Sequence, residues 1–209
     1  MSSIDSLKKE LVEAARVRDR AERAARLASI VAEALRPTGR DPVLVGGAAV
    51  EFYTQGAYTT ADIDMVTDGG KDLVQIMMRL GFEKIGKDFV DRKNKIYVEF
   101  PGASLKASEK AWPVQVGART FRIISIEDLI VDRLNAFKFW RSLIDGANAL
   151  MLLELGEGDE SRLHSRASEE DVLDALDALR KLRERIIRKK LSREEADGLL
   201  EEASAQLKK

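Results

Sequence analysis

Asp62-Ile63-Asp64 sets two carboxylates two residues apart in a segment where Ile63, Met65 and Val66 read as a strand. Side chains two apart on a strand share a face, with Cα atoms roughly 7 Å apart. Both acids therefore point one way, while Ile63 and Met65 point into a core. Like charges so placed repel each other, and the arrangement is sensible around a cation. Mg²⁺ (or Mn²⁺) accepts such oxygens, commonly one or two carboxylates completed by water and substrate phosphates. Two such ions about 4 Å apart can clamp an in-line phosphoryl displacement. Glu99 follows the same logic. Ile96, Val98 and Phe100 share one strand face, and Glu99 lies on the other with Tyr97, so beside the Asp62 strand it would complete a three-carboxylate cluster. Gly46-Gly47 lies between an apolar run and a helix start. Glycines there let the backbone approach a ligand, and N–H groups at a helix N-terminus suit phosphate. An anion cradle beside cation-holding acids is what transfer from a triphosphate requires.

The elements that must position these residues follow from the apolar pattern. Residues 3–35 repeat apolar positions at helical spacing and are closed by Pro37 and Gly39. Val43-Leu44-Val45 reads as a buried strand, 48–53 as a helix, and 63–66 as the acid-bearing strand, stopped by Asp68-Gly69-Gly70. The spacing predicts a helix over 71–80, with Gly81 as its C-terminal cap. Residues 82–90 and 95–100 read as two strands joined through Asp91-Arg92-Lys93-Asn94, and 114–124 as a hairpin around Gly117-Ala118. From Ser125 onward the pattern is helical: a long helix over 127–155, a loop at 156–159, and helices opening at Ser168 and Ser192, each with a cap-and-carboxylate signature. The layout is a helix over 1–36, an α/β core over 41–124 and a helical region over 125–209.

Taken in order, Val45-Gly46-Gly47-Ala48, Thr60-Ala61-Asp62-Ile63-Asp64-Met65 and Val98-Glu99-Phe100 resemble the pattern of the DNA polymerase β-like nucleotidyltransferase superfamily. That pattern is a strand, a Gly-Gly or Gly-Ser turn, a helix, a strand bearing Asp-x-Asp, and a later strand bearing a third acid. Within it, 46–64, 125–134 and 139–145 resemble a prokaryotic branch near the abortive-infection (AbiEii-like) toxin nucleotidyltransferases. The resemblance covers about residues 41–155. It implies an α/β (α+β) nucleotidyltransferase fold with a small mixed sheet, an N-terminal helix and a helical C-terminal region. It also implies transfer of a nucleoside monophosphate from a triphosphate to an acceptor hydroxyl on RNA, a protein or a small molecule. Asp62, Asp64 and Glu99 would hold Mg²⁺ or Mn²⁺, and the Gly46 and Gly47 backbone with Thr60 would meet the nucleotide. A triphosphate also needs basic groups, for which Arg133 and Lys138 on the helix after the core are best placed. Asp145 matches an acidic position that the branch places near its site, and as a bare residue it reads equally as a helix cap. An antitoxin partner goes with such a branch. A catalytically inactive nucleotidyltransferase-like module that binds a nucleotide or a protein is the alternative.

Composition narrows the field further. Lys+Arg number 35 and Asp+Glu 36, a net charge of −1, without the basic excess of a dedicated nucleic-acid binder. Cysteine is absent, so disulfides, zinc–thiolate sites and cysteine nucleophiles are excluded, and the lone His164 excludes a multi-histidine zinc site. No apolar run suits a bilayer and the N-terminus is polar, which reads as a cytoplasmic protein. Arg16, Arg18, Arg20, Arg23 and Arg26 alternate with acids and alanines, as on a solvated helix face. His164 and Arg188-Lys189-Lys190 read as surface groups, and Trp112 and Trp140 as packing anchors.

Overall fold

The apolar repeat at the N-terminus carries a polar interruption, and there the chain turns. In the computed structural model, which describes residues 3–190 and 192–207, the expected single helix is two, α1 (Ile4–Ala14) and α2 (Arg20–Leu35). Asp19 makes the difference. Its side chain accepts from the Glu22 N–H at 2.8 Å and caps a new helix, which outweighs the helical periodicity running through Ala15 to Val17. Ser3 caps α1 in the same way.

Strands β1 (Val43–Val45), β2 (Asp62–Val66), β3 (Glu83–Ile85), β4 (Asp88–Asp91), β5 (Ile96–Glu99), β6 (Ala111–Val116) and β7 (Arg119–Ile124) form one sheet, in the order β3-β4-β5-β2-β1-β7-β6. It is mixed: β1 runs antiparallel to β2 and parallel to β7, and β2 runs parallel to β5. The run 82–90 is two strands, not the one expected from its pattern. Gly86, at φ +60°, makes the turn of a β3–β4 hairpin that apolar alternation alone does not reveal. Helices α3 (Gly46–Tyr53) and α4 (Lys71–Leu80) complete this part of the chain. Leu44, Met65 and Ile123 stand in register on one face of the sheet, with Ile63, Val98 and Phe121, all buried. Phe52 of α3 meets Phe121 edge-on at 6.0 Å between ring centroids, and the Tyr53 hydroxyl donates to the Ile124 carbonyl at 2.8 Å. Burial of that apolar face is what fixes the strand register, because a one-residue slip would turn every one of these side chains outward.

The chain divides between Ser125 and Ile126 into two units. The second is helical: α5 (Ile126–Trp140), α6 (Leu143–Leu155), α7 (Glu160–Glu169), α8 (Leu173–Lys189) and α9 (Arg193–Gln206). Two expectations are corrected here. The long helix over 127–155 is broken at Arg141, which adopts φ +57°, and Ser142 caps α6. Ser168-Glu169-Glu170-Asp171 closes a helix instead of opening one: α7 begins just after the expected loop at 156–159, and Asp159 is its cap. The capping box at Ser192 is present, with Ser192 and Glu195 bonded reciprocally. The unit is organised around Asp128, which is 1% exposed and accepts from Arg166 Nε at 2.8 Å and Arg162 Nη2 at 2.5 Å. Burial alone would lower the Arg166 pKa. The bonds and charges of Asp128, Glu169 and Glu170 outweigh it, and the guanidinium stays firmly protonated. Trp140 and Trp112 are 79% and 52% exposed, so neither is the packing anchor its residue type suggests. Trp140 ends α5, and Trp112 lies on the edge strand β6. His164 is exposed, as its polar surroundings indicate. Among the described residues no helix is long and apolar enough to cross a membrane.

Candidate functional site

Strand register decides which acids share a face of the sheet. Asp64 stands directly beside Glu99 across the parallel β2–β5 pair, and Asp62 stands beside Tyr97. Ile63, Val98 and Met65 alternate with them into the buried face, so Asp62, Asp64 and Glu99 occupy the opposite face. Across the next ladder, Asp88 of β4 pairs with Glu99. Asp64, Glu99 and Asp88 thus occupy one register row across three strands, with Asp62 one pleat further along β2. Asp88 belongs to this row and lay outside the residues singled out from sequence. Without the turn at Gly86, its strand had no register.

The Gly-Gly turn sits against the same row. Val45, the last residue of β1, is the register partner of Asp64, and α3 begins at the next residue. Gly46 has φ +63°, and a Cβ placed on it would lie 2.4 Å from Asp64 Oδ2. The position therefore requires glycine twice, for the left-handed backbone and for the carboxylate packed against it. A Cβ on Gly47 would lie 3.2 Å from the Thr60 Cβ, so Gly47 lets the segment before β2 pack close. Val45 gives α3 no side-chain cap, and Asp64 lies where negative charge suits a helix start.

Glu51 is a site-building residue that sequence reasoning passed over. It lies on α3, 4% exposed, and its Oε2 accepts from the Thr60 N–H at 2.9 Å. Thr60 Oγ1 in turn accepts from the Asp62 N–H at 3.4 Å. An acid buried on a helix facing a loop is thus what pins the approach to the Asp pair. In the sequence it was hidden as an ordinary charged helix position. Arg20 and Arg23 of α2 lie beside this segment, in a small cleft with Glu51, Thr60 and Asp62. Arg23 donates to the Lys95 carbonyl at 3.1 Å.

Lys87, at the tip of the β3–β4 hairpin, is the remaining charged member. Its ammonium lies 2.5 Å from Glu99 Oε1, and its side chain is 73% exposed. The hydrogen bond and charge of Glu99 raise its pKa above the usual lysine value, with Asp88 and Asp64 adding to the effect.

Arg133, Lys138 and Asp145 lie in the helical unit. Arg133 Nη1 donates to Asp145 Oδ1 at 2.5 Å, its other donors meet Asp132, and Asp145 also accepts from the Ser142 hydroxyl at 2.5 Å. Asp145 thereby steadies the Ser142 cap of α6 while it pairs with Arg133. Lys138 is 4% exposed, and its Nζ donates to the Asp171 carbonyl at 2.5 Å and lies 3.0 Å from Asp174 Oδ1. Both cations are thus engaged by acids of their own unit.

A mixed sheet carrying an Asp-x-Asp strand beside a third-acid strand, with a Gly-Gly helix start at its head, is the arrangement of a nucleotidyltransferase-like fold. Among solved structures, the chain is similar to an antigenic nucleotidyltransferase-like protein from Paracoccidioides brasiliensis. The TM-score is 0.51 at 14% sequence identity, over 82% of this chain and 93% of that one. The likeness shows the fold. No family model matches the chain, and no curated protein matches it in sequence.

Proposed function

We propose that this chain is a metal-dependent nucleotidyltransferase, moving a nucleoside monophosphate from a triphosphate to an acceptor hydroxyl with release of pyrophosphate. The observation that carries the reading is the register of Asp64 beside Glu99, with Gly46 packed on the Asp64 carboxylate. Among the described residues, no group of three or more acids or histidines is already gathered to hold a metal ion. The donor set still fits Mg²⁺ or Mn²⁺, which commonly takes only one or two carboxylates and completes its shell with water and substrate phosphates. Asp62, Asp64 and Glu99 would hold it. When bound, the ion supplies charge to the phosphoryl oxygens and the leaving pyrophosphate. The chain's own residues do the rest. The start of α3 offers backbone N–H groups to the triphosphate, and Thr60, held by Glu51, sets the rim beside Asp62. Arg133, Lys138 and Asp145 are proposed nucleotide contacts only where the triphosphate displaces the acid partners they now have. An acceptor on RNA or a protein, an antitoxin partner and a cytoplasmic setting belong to the same proposal, through the resemblance to the abortive-infection branch.

A second reading has its own support. Arg133 and Lys138 are tied to acids and Lys87 is tied to Glu99, as in a module that binds a nucleotide or protein without turnover. One experiment separates the two. Wild-type protein, Asp62→Asn and Asp64→Asn are incubated with each labelled triphosphate, Mg²⁺ or Mn²⁺, and cellular RNA or protein. Metal-dependent labelling by the wild type, abolished in both variants while they stay folded, is expected for the enzyme. Labelling that survives either substitution overturns this assignment of the metal ligands. Absence of labelling with all four triphosphates favours the binding module.

A further inference from the structure

The Lys87–Glu99 pair sits where the proposed cation would bind, and this inference rests on that reading. We infer that Lys87 is a built-in counter-ion of the carboxylate row, which a divalent cation must displace from Glu99 when it binds. Three observations support it. First, Asp64, Glu99 and Asp88 share one register row on the same face of the sheet, and the Lys87 ammonium pairs with its central member, Glu99. Second, Lys87 is attached to a hairpin tip, next to Gly86 at φ +60°, and not to a helix that would hold it rigidly. Third, it is 73% exposed while Glu99 is 23% exposed, so the ammonium can leave into water without uncovering a buried group. An exposed pair of this kind holds weakly. A dication brings twice the charge to the same oxygens and meets Asp64 as well, so it wins the competition for Glu99. In the absence of metal, the pair holds Glu99 in its orientation and lowers the repulsion along the row. Its consequence is that the apparent metal affinity of the wild type is weaker than that of the bare carboxylates.

The test is a Mn²⁺ titration without nucleotide, read as free Mn²⁺ by electron paramagnetic resonance. Lys87→Met removes the competitor and should bind Mn²⁺ roughly two- to fivefold more tightly than wild type, the range expected for losing a surface ion pair. Lys87→Arg keeps the charge and should bind as wild type does. Lys84→Met is the charge control. It makes the same change in net charge on the same hairpin, but Lys84 lies over the Phe89 ring at 5.0 Å and donates to the Gly86 carbonyl. It should leave Mn²⁺ affinity unchanged. Equal or weaker binding by Lys87→Met, or equal tightening by Lys84→Met, overturns the inference while leaving the metal site standing. Asp64→Asn separates the two levels. If no variant shows Mn²⁺ binding that Asp64→Asn abolishes, the metal reading and the inference fall together.

Discussion

Gly46→Ala tests the geometry of the site at its tightest point. Two costs are separable. The first is the backbone: Gly46 has φ +63°, and an L-residue in the left-handed region costs about 1–2 kcal/mol. The second is the contact: the new Cβ would lie 2.4 Å from Asp64 Oδ2, so the carboxylate must give way by about 1 Å to reach ordinary van der Waals distance. A side chain forced off its rotamer costs about 0.5–1.5 kcal/mol. The sum is about 1.5–3.5 kcal/mol. Gly117→Ala supplies the control, because Gly117 has φ +57° and nothing within 4 Å of its would-be Cβ. It should lose only the backbone term, about 1–2 kcal/mol. Urea unfolding of both variants therefore reads the Asp64 contact as the difference between them. Gly46→Ala should also weaken Mn²⁺ binding, because its Asp64 carboxylate is displaced, whereas Gly117→Ala should not. Equal stability losses in the two variants, with equal Mn²⁺ affinity, would refute the packing of Gly46 on Asp64.

Three further outcomes are expected. Glu51→Ala removes the acceptor of the Thr60 N–H and should destabilise the protein by about 1–3 kcal/mol, whereas Glu51→Gln, which keeps an acceptor oxygen, should lose less; urea midpoints distinguish them. Asp128→Asn leaves the buried Arg166 and the partly buried Arg162 without their shared charge and should cost about 3–5 kcal/mol, measured by thermal unfolding; a loss under 1 kcal/mol would contradict its central place in the helical unit. Arg40 donates to both Asp72 oxygens, at 2.6 and 3.0 Å, and this bond holds the Asp72 pKa below its ordinary 3.8. A depressed carboxyl contributes stability that is full above the unfolded value and lost as pH falls through the folded one. The stability difference between wild type and Asp72→Asn should therefore be constant above pH 5 and shrink as pH falls below about 4; a difference that does not shrink below pH 4 would exclude this origin.

What could be read from the sequence was what depends on neighbours along the chain. The face shared by Asp62 and Asp64, and the one shared by Glu99 and Tyr97, follow from a period of two. The glycine ends of α4 and of the β6–β7 hairpin follow from their local backbone needs. What could not be read depends on register or on competition between signals. That Asp64 lies beside Glu99, and Asp88 beyond it, is a fact of pairing between segments far apart in sequence. Gly86-Lys87 turns a hairpin inside an apolar alternation that runs straight through it. Helix α7 is too polar to show a buried stripe, and its closing Ser168-Glu169-Glu170-Asp171 mimics an opening. Glu51 and Asp128 look like ordinary helix charges in sequence, and Lys138 reads as a cation for a triphosphate, yet all three are buried against partners outside their own helices.

A row of like charges on a sheet is unstable to rotation of its own side chains, so something must hold each acid in place before any ligand arrives. The structure uses a different device at each position. Asp64 packs against the Gly46 turn, where the missing Cβ leaves room for its carboxylate. Asp62 is confined through the backbone, because Thr60 is anchored by buried Glu51 and accepts from the Asp62 N–H. Glu99 is confined by charge, through Lys87. The first two devices are built into α3 and cannot yield without disturbing a helix that packs on Phe121. The third can yield, because an exposed lysine at a hairpin tip leaves nothing unsatisfied when it swings away. Adaptability is therefore concentrated at Glu99. On the proposed reading, Asp62 and Asp64 form the preorganised part of a metal site and Glu99 is the ligand that joins on binding. That order agrees with an arrangement in which no three acids are gathered beforehand among the described residues.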